Sequence, residues 1–162
     1  MQVNNILPYQ QSGSRQDLST QTRVKHIMEQ LTQSLNHNSF SVIVYVDFLQ
    51  AFDMLWHQDR TITLDYQGHL SKQVKVNRGA PQGSCFGPKA YIVNHFDLPS
   101  IFDCPSEVHI YVGDLAILFS RSIYLKYAQQ VDEIETRINK DLLKLVNYAE
   151  SNHQPINNKK TE

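Results

Sequence analysis

The chain has 162 residues, a length that suits one domain, and its 41% of hydrophobic residues is enough for a packed core, which excludes wholesale disorder. Fifteen Lys and Arg face sixteen Asp and Glu, and the formal charge of -1 argues against strong free-standing nucleic-acid binding, though not against a local basic face. No apolar run approaches the roughly 20 residues that span a bilayer, and no signal peptide is recognisable, so the chain reads as intracellular, with Cys85 and Cys104 as two free thiols.

Residues 1–16 are polar and turn-rich. A helix is predicted to follow Asp17 or Ser19, either of which can cap it. Val24, Ile27, Met28, Leu31 and Leu35 recur at helical spacing on one apolar face, and Asn36-His37-Asn38-Ser39 ends the helix. Residues 40–47 are continuously apolar and rich in β-branched side chains, the pattern of a central strand, and Asp47 closes it. Residues 61–66 and 72–77 alternate as two half-buried strands joined through Gly68. A short helix is predicted over 88–97, with Pro88 in its first turn and Pro99 just beyond its end. Strands 107–112 and 115–120 flank Gly113-Asp114, a two-residue hairpin signal. A long helix follows from Ile123 to Ala149, its stripe being Tyr127, Val131, Ile134, Ile138, Leu142, Leu145 and Ala149. This order predicts an α+β fold, an antiparallel sheet with helices packed on one face.

Three short segments carry the chemistry. Asp47 ends its strand in Val44-Tyr45-Val46-Asp47-Phe48, with Ala51-Phe52-Asp53 close behind. Gly79-Ala80-Pro81-Gln82-Gly83-Ser84 follows, and then Tyr111-Val112-Gly113-Asp114. Taken alone, Asp47 is as readily a turn-capping residue, Phe52 a core ring and Gly113-Asp114 an ordinary hairpin. In this order they resemble the palm of a reverse transcriptase of the non-LTR retrotransposon type, whose motifs read roughly Leu-Asp-Phe-x-x-Ala-Phe-Asp, Gly-x-Pro-Gln-Gly-Ser and Ala-Asp-Asp. Two-metal phosphoryl transfer needs carboxylates from separate strands at one point, which is why the order matters.

The resemblance implies a role for each matching residue. Asp47 and Asp114 would be the catalytic, Mg²⁺-binding carboxylates. Phe52 would pack under the sugar of the incoming nucleotide, and Pro81-Gln82-Gly83 would contact the template base and the nucleotide. Gly79 and Gly83 would permit close backbone approach. Gln11-Ser12-Gly13-Ser14-Arg15 resembles a fingers element in which Arg15 faces phosphate. Asn157-Asn158-Lys159-Lys160-Thr161 resembles Asn-x-x-Lys-Thr, placing Lys160 near the leaving pyrophosphate. Asp53, Trp56 and His57 match the family's Asp-x-x-Trp-His and read as structural or substrate-orienting. The implied partners are an RNA or DNA primer-template and a deoxynucleoside triphosphate, bound weakly, with no membrane.

The departures are equally informative. Gly113 stands where the family has its first hairpin Asp and cannot ligate a metal through a side chain. Loss of that carboxylate is expected to lower the rate by on the order of 10²–10⁴. Asp47 and Gly79 are only 32 residues apart, an interval several dozen residues longer in the family, which suggests an internal deletion near 57–61. The expected organisation is one partial domain, 1–39 a fingers-like remnant and 40–162 palm-like, with no thumb. The expectation is therefore an inactive RNA-directed DNA polymerase domain. A non-catalytic nucleic-acid- or protein-binding module, or a retroelement relic without selected function, stays open beside it.

Overall fold

The computed structural model of the chain describes residues 7–37, 39–81, 83–103, 106–120 and 126–161. Helix α1 (Thr20–Asn36) starts at Ser19, whose Oγ accepts the Thr22 amide while Thr22 Oγ1 accepts the Ser19 amide, a reciprocal cap. Strand β1 (Ser41–Asp47) is followed by a projecting arm built from β2 (Trp56–Ile62), β3 (Asp65–Tyr66), β4 (His69–Leu70) and β5 (Val74–Arg78). Helix α2 (Gly87–Asn94) and a 3-10 turn (Leu98–Ile101) lead to β6 (Glu107–Tyr111), β7 (Asp114–Ser120) and the long α3 (Tyr127–Ser151). The fold is mixed helix and antiparallel sheet.

The main sheet has the order β1-β7-β6, all antiparallel. Strand β7 is therefore central, and β1, expected in the middle, lies at the edge. Its apolar alternation is real but one-sided, with Val44 and Val46 buried and Tyr45 exposed. Val44, Val46, Val108, Ile110, Leu115, Ile117 and Phe119 face Ile134, Leu145, Tyr148 and Ala149 of α3 in one core. The predicted stripe of α3 thus packs as expected from Ile134 to Ala149, whereas Tyr127 is exposed and Tyr148 joins instead. The start expected at Ile123 lies outside the described residues.

Helix α1 departs from expectation. Val24, Met28 and Leu35 are exposed, and the inward residue is Arg23. Its guanidinium bonds Ser12 Oγ, the Tyr9 carbonyl and, at 3.0 Å, His109 Nδ1, while His109 Nε2 meets Gln30 Oε1 at 2.7 Å. His109 pairs with Ala116 across the sheet, on the face opposite the α3 core. The helices therefore do not share one face. A multiply hydrogen-bonded arginine has displaced the apolar stripe from the interface, because leaving that cation unpaired in the interior would cost more than exposing Val24 and Met28.

Three boundaries shift. The hairpin turn is Val112-Gly113, not Gly113-Asp114, since Asp114 already pairs with Tyr111. The arm begins earlier than predicted, at Trp56, and α2 ends at Asn94 rather than at 97, with Pro99 beyond it inside the 3-10 turn. No helix among the described residues is long and apolar enough to cross a membrane.

Candidate functional site

Sheet register brings the two candidate carboxylates together. Asp47, last in β1, is the direct cross-strand partner of Asp114, first in β7, although 66 intervening residues separate them in the chain. Both line an open cleft of about 570 Å³ with Leu49, Ala51, Phe52, Gly113, Asn157 and Lys160. The hairpin side of this cleft is held from below. Gln11 Oε1 accepts the Val112 amide at 3.0 Å and the Gly13 amide at 2.8 Å. Val112 takes φ +59°, an uncommon conformation for a β-branched residue. Gly13 lies so close to Val112 that a Cβ there would collide with its side chain and backbone.

The C-terminal tail forms the other wall. Leu49 N donates to the Pro155 carbonyl at 2.8 Å, Phe48 bridges Ile156, and Asn157 N donates to the Asp47 carbonyl at 2.8 Å. Asn157 Nδ2 then donates to Asp47 Oδ2 at 2.9 Å, and Lys160 Nζ stands 3.8 Å from the same oxygen. The two carboxylates are not equivalent. Asp114 is pushed above the usual carboxylate range, by burial first and by the Asp47 charge second, while Lys160 pulls it down. A hard cation between two such oxygens would relieve that repulsion, so the donor set suits one loosely held divalent ion. Among the described residues no group of three or more His, Cys, Asp and Glu converges.

Phe52 joins this cleft to a second one of about 470 Å³, lined by Gln50, Ala51, Phe52, Asp53, Ala80, Pro81, Gly83 and Ser84. The loop is fixed by Gly79 N to the Leu55 carbonyl (2.8 Å) and Ala80 N to the Phe52 carbonyl (2.9 Å). Gly79 has φ +89°, and a Cβ on it would stand 3.3 Å from the Asp53 carbonyl oxygen, so the close approach expected there is present. Gly83 is also left-handed but faces open space. Gln82 lies outside the described residues. His57 Nε2 (3.0 Å) and Arg60 Nη1 (2.7 Å) both meet the Gly79 carbonyl, a bracing role.

Asp47, Asp114, Phe52, Pro81, Gly83 and Lys160 are thus gathered on two adjoining clefts. Arg15 is not. It lines neither, and its guanidinium is bonded to the Pro8 and Gln11 carbonyls at 3.1 and 3.2 Å. Three residues with a part in the site were not singled out as site residues from the sequence. Asn157 was legible as the Asn of Asn-x-x-Lys-Thr. Gln11 was legible as the Gln of the fingers-like element, but its contact with the hairpin about a hundred residues away was not, and nothing local marks Tyr91 as a ring behind the hairpin.

No family model matches the chain. Curated relatives do. It is 27% identical over 171 aligned positions to the probable RNA-directed DNA polymerase from transposon BS of Drosophila melanogaster, covering 85% of the chain. It is 21% identical to that from transposon X-element of the same fly, over 82% of the chain, and 25% identical to the RNA-directed DNA polymerase from mobile element jockey, over 72%. The chain spans only 18%, 16% and 16% of those proteins.

Proposed function

We propose that this chain, a reverse-transcriptase-like relative of the non-LTR retrotransposon RNA-directed DNA polymerases, is a shortened palm-like domain that has lost polymerase activity. The observation that carries the reading is the direct pairing of Asp47 with Asp114 at a cleft that also holds Lys160. In this reading Asp47 and Asp114 hold Mg²⁺, which when bound supplies charge stabilisation to the attacking and leaving oxygens of phosphoryl transfer. Lys160 neutralises phosphate charge, Phe52 walls the sugar, and Pro81-Gln82-Gly83 faces the base. Arg15 braces the N-terminal loop rather than meeting phosphate.

Activity is lost because Gly113 offers no ligand beside Asp114, leaving two carboxylates for an ion pair that needs more. Residues 1–39 correspond to a fingers-like part and 40–162 to the palm-like part, shortened near 57–61. The aligned stretch with the BS polymerase, 171 positions, exceeds the 162 residues of the whole chain, which supports the shortening. Primer-template affinity is weak and salt-sensitive, since acidic residues offset basic ones.

The test sets Mn²⁺ and Mg²⁺ calorimetry beside single-nucleotide primer extension. Weak ion binding that Asp47→Asn abolishes, with no extension above background, is the expected result. Robust extension by the unmodified chain overturns the inactive reading, and ion binding indifferent to Asp47 overturns the site.

One observation favours a protein-binding role as a second reading. A groove of about 820 Å³ is lined by Leu55, Ala90, Arg60, Lys89 and three exposed apolar side chains, Phe86, Val93 and Phe96. Crosslinking through a photoreactive residue at position 93 would test it, and labelling by solvent alone would dismiss it.

A further inference from the structure

Tyr91, on α2, is only 1% exposed. Its ring stacks on His95 (centroids 4.4 Å apart, 27° between planes) and meets Phe52 at 5.5 Å. His95 Nδ1 is bound to the Tyr91 carbonyl at 3.1 Å, so ring and helix are locked together. Yet the hydroxyl at the end of this fixed ring has no hydrogen-bond partner among the described residues. Buried hydroxyls are nearly always paired, because an unpaired one keeps the full cost of leaving water.

The direction of the hydroxyl is specific. A Cβ built on Gly113 would stand 3.6 Å from it and 3.3 Å from Ala51 Cβ. The left-handed residue of this turn is Val112 rather than Gly113, so the backbone does not require glycine at 113. A carboxylate oxygen two bonds beyond that Cβ can reach ordinary O–H···O distance, about 2.7 Å, by rotation about the side-chain bonds. Burial, with Asp114 and Asp47 adding to it, raises the phenol above its usual range and keeps it a donor.

We infer that the Tyr91 hydroxyl is a donor aimed at the space a carboxylate at position 113 would fill, so that Tyr91 would become a positioning residue for an ion site at the hairpin tip once Gly113→Asp supplies that carboxylate. The inference rests on reading the Asp47–Asp114 cleft as such a site. Bound by Tyr91 through one oxygen, a carboxylate at position 113 would keep its other oxygen free for a cation. The hydroxyl also offsets the repulsion of a third acid beside Asp47 and Asp114.

The test compares the present chain with Tyr91→Phe, Gly113→Asp and the double variant, by thermal unfolding and by Mn²⁺ calorimetry. In the present chain Tyr91→Phe should raise Tm by about 2–4 °C, because it removes an unpaired polar atom. Gly113→Asp should tighten Mn²⁺ binding, and Tyr91→Phe should reverse that gain by roughly tenfold, the size of one hydrogen bond to a charged group. A lower Tm for Tyr91→Phe alone would mean that the hydroxyl already has a partner, and would overturn the inference. A gain in Mn²⁺ affinity indifferent to Tyr91 would also overturn it while leaving the cleft an ion site. No gain from Gly113→Asp would instead overturn the ion-site reading. The Tm cycle would still decide the Tyr91 pairing, since Gly113→Asp should be better tolerated beside Tyr91 than in the Tyr91→Phe background. If crowding by Ala51 unfolds Gly113→Asp, Gly113→Asn, an uncharged acceptor, gives the same cycle.

Discussion

At the scale of single residues, charge is distributed unevenly over the candidate site. Asn157 and Lys160 both attend to Asp47, whereas Asp114 bears burial and the Asp47 charge. The Asp114 carboxyl titrates above the ordinary 3.8, so the folded chain holds more protons than the unfolded one from pH 3.8 up to the raised value. Stability attributable to Asp114 therefore falls as pH rises through that window. Asp114→Asn should raise the urea midpoint at about pH 7 and leave it nearly unchanged at about pH 3, where the carboxyl is protonated in both states. His109 acts with the opposite sign. Burial, then Arg23 and His26, lower its pKa to about 4 from 6.5. The Arg23 guanidinium can only donate to Nδ1, so the ring is neutral and donates from Nε2 to Gln30. Its contribution is whole above pH 6.5 and is lost as pH falls towards about 4. His109→Gln should flatten the stability profile over that interval even though it lowers stability throughout, and unfolding curves at about pH 7, 5.5 and 4.5 would read the slope.

At the scale of elements, the hairpin tip is held by the N-terminal loop as much as by its own strands. Gln11 meets Val112 much as a strand would, accepting its amide and reaching its carbonyl at 3.4 Å. Gly13 leaves no room for a side chain against Val112. Gly13→Ala should therefore push the tip away from β1 and destabilise the chain by about 1–3 kcal/mol. The displacement would show in chemical shifts of Asp47 and Asp114 as well as in the denaturation midpoint. An unaffected midpoint would mean that the loop yields more easily than its packing implies. The arm from Trp56 to Arg78 contrasts with this hairpin. Ile62, Leu64, Tyr66, Leu70 and Val74 are exposed along it, so its pairing contributes little to the α3 core.

At the scale of the whole molecule, one well-packed core under α3 coexists with apolar surface that nothing among the described residues covers. Val24, Met28 and Leu35 on α1, and Phe86, Val93 and Phe96 around α2, are all more than half exposed. Such faces favour association. Sedimentation of the purified chain should be concentration-dependent, and its near-UV circular dichroism should melt over a broad range. A sharp transition from a monodisperse monomer would show that the sheet and α3 suffice for a cooperative fold despite those faces. The formal charge of -1 predicts that added salt abolishes what primer-template binding there is, and a titration from low to physiological salt would check it.

Local pattern alone was enough for a cap at Asp17 or Ser19, of which the structure uses Ser19, for the stripe from Ile134 to Ala149, the strand ending at Asp47 and a hairpin around Gly113, because each depends on side chains a few residues apart. The motif order also implies, by resemblance, that Asp47, Asp114, Phe52 and Lys160 share one neighbourhood. Only the assembled sheet decided the rest. β7 pairs on both sides, so its register with β1 and β6 moved the turn to Val112-Gly113 and set Asp114 opposite Asp47. Arg23 replaced an apolar stripe because separate segments, carrying Tyr9, Ser12 and His109, happened to offer it partners. Asn157 reached Asp47 across 110 positions, and Tyr91 came to stand behind Gly113. Contacts of that separation depend on how whole elements pack, and no spacing along the chain encodes them.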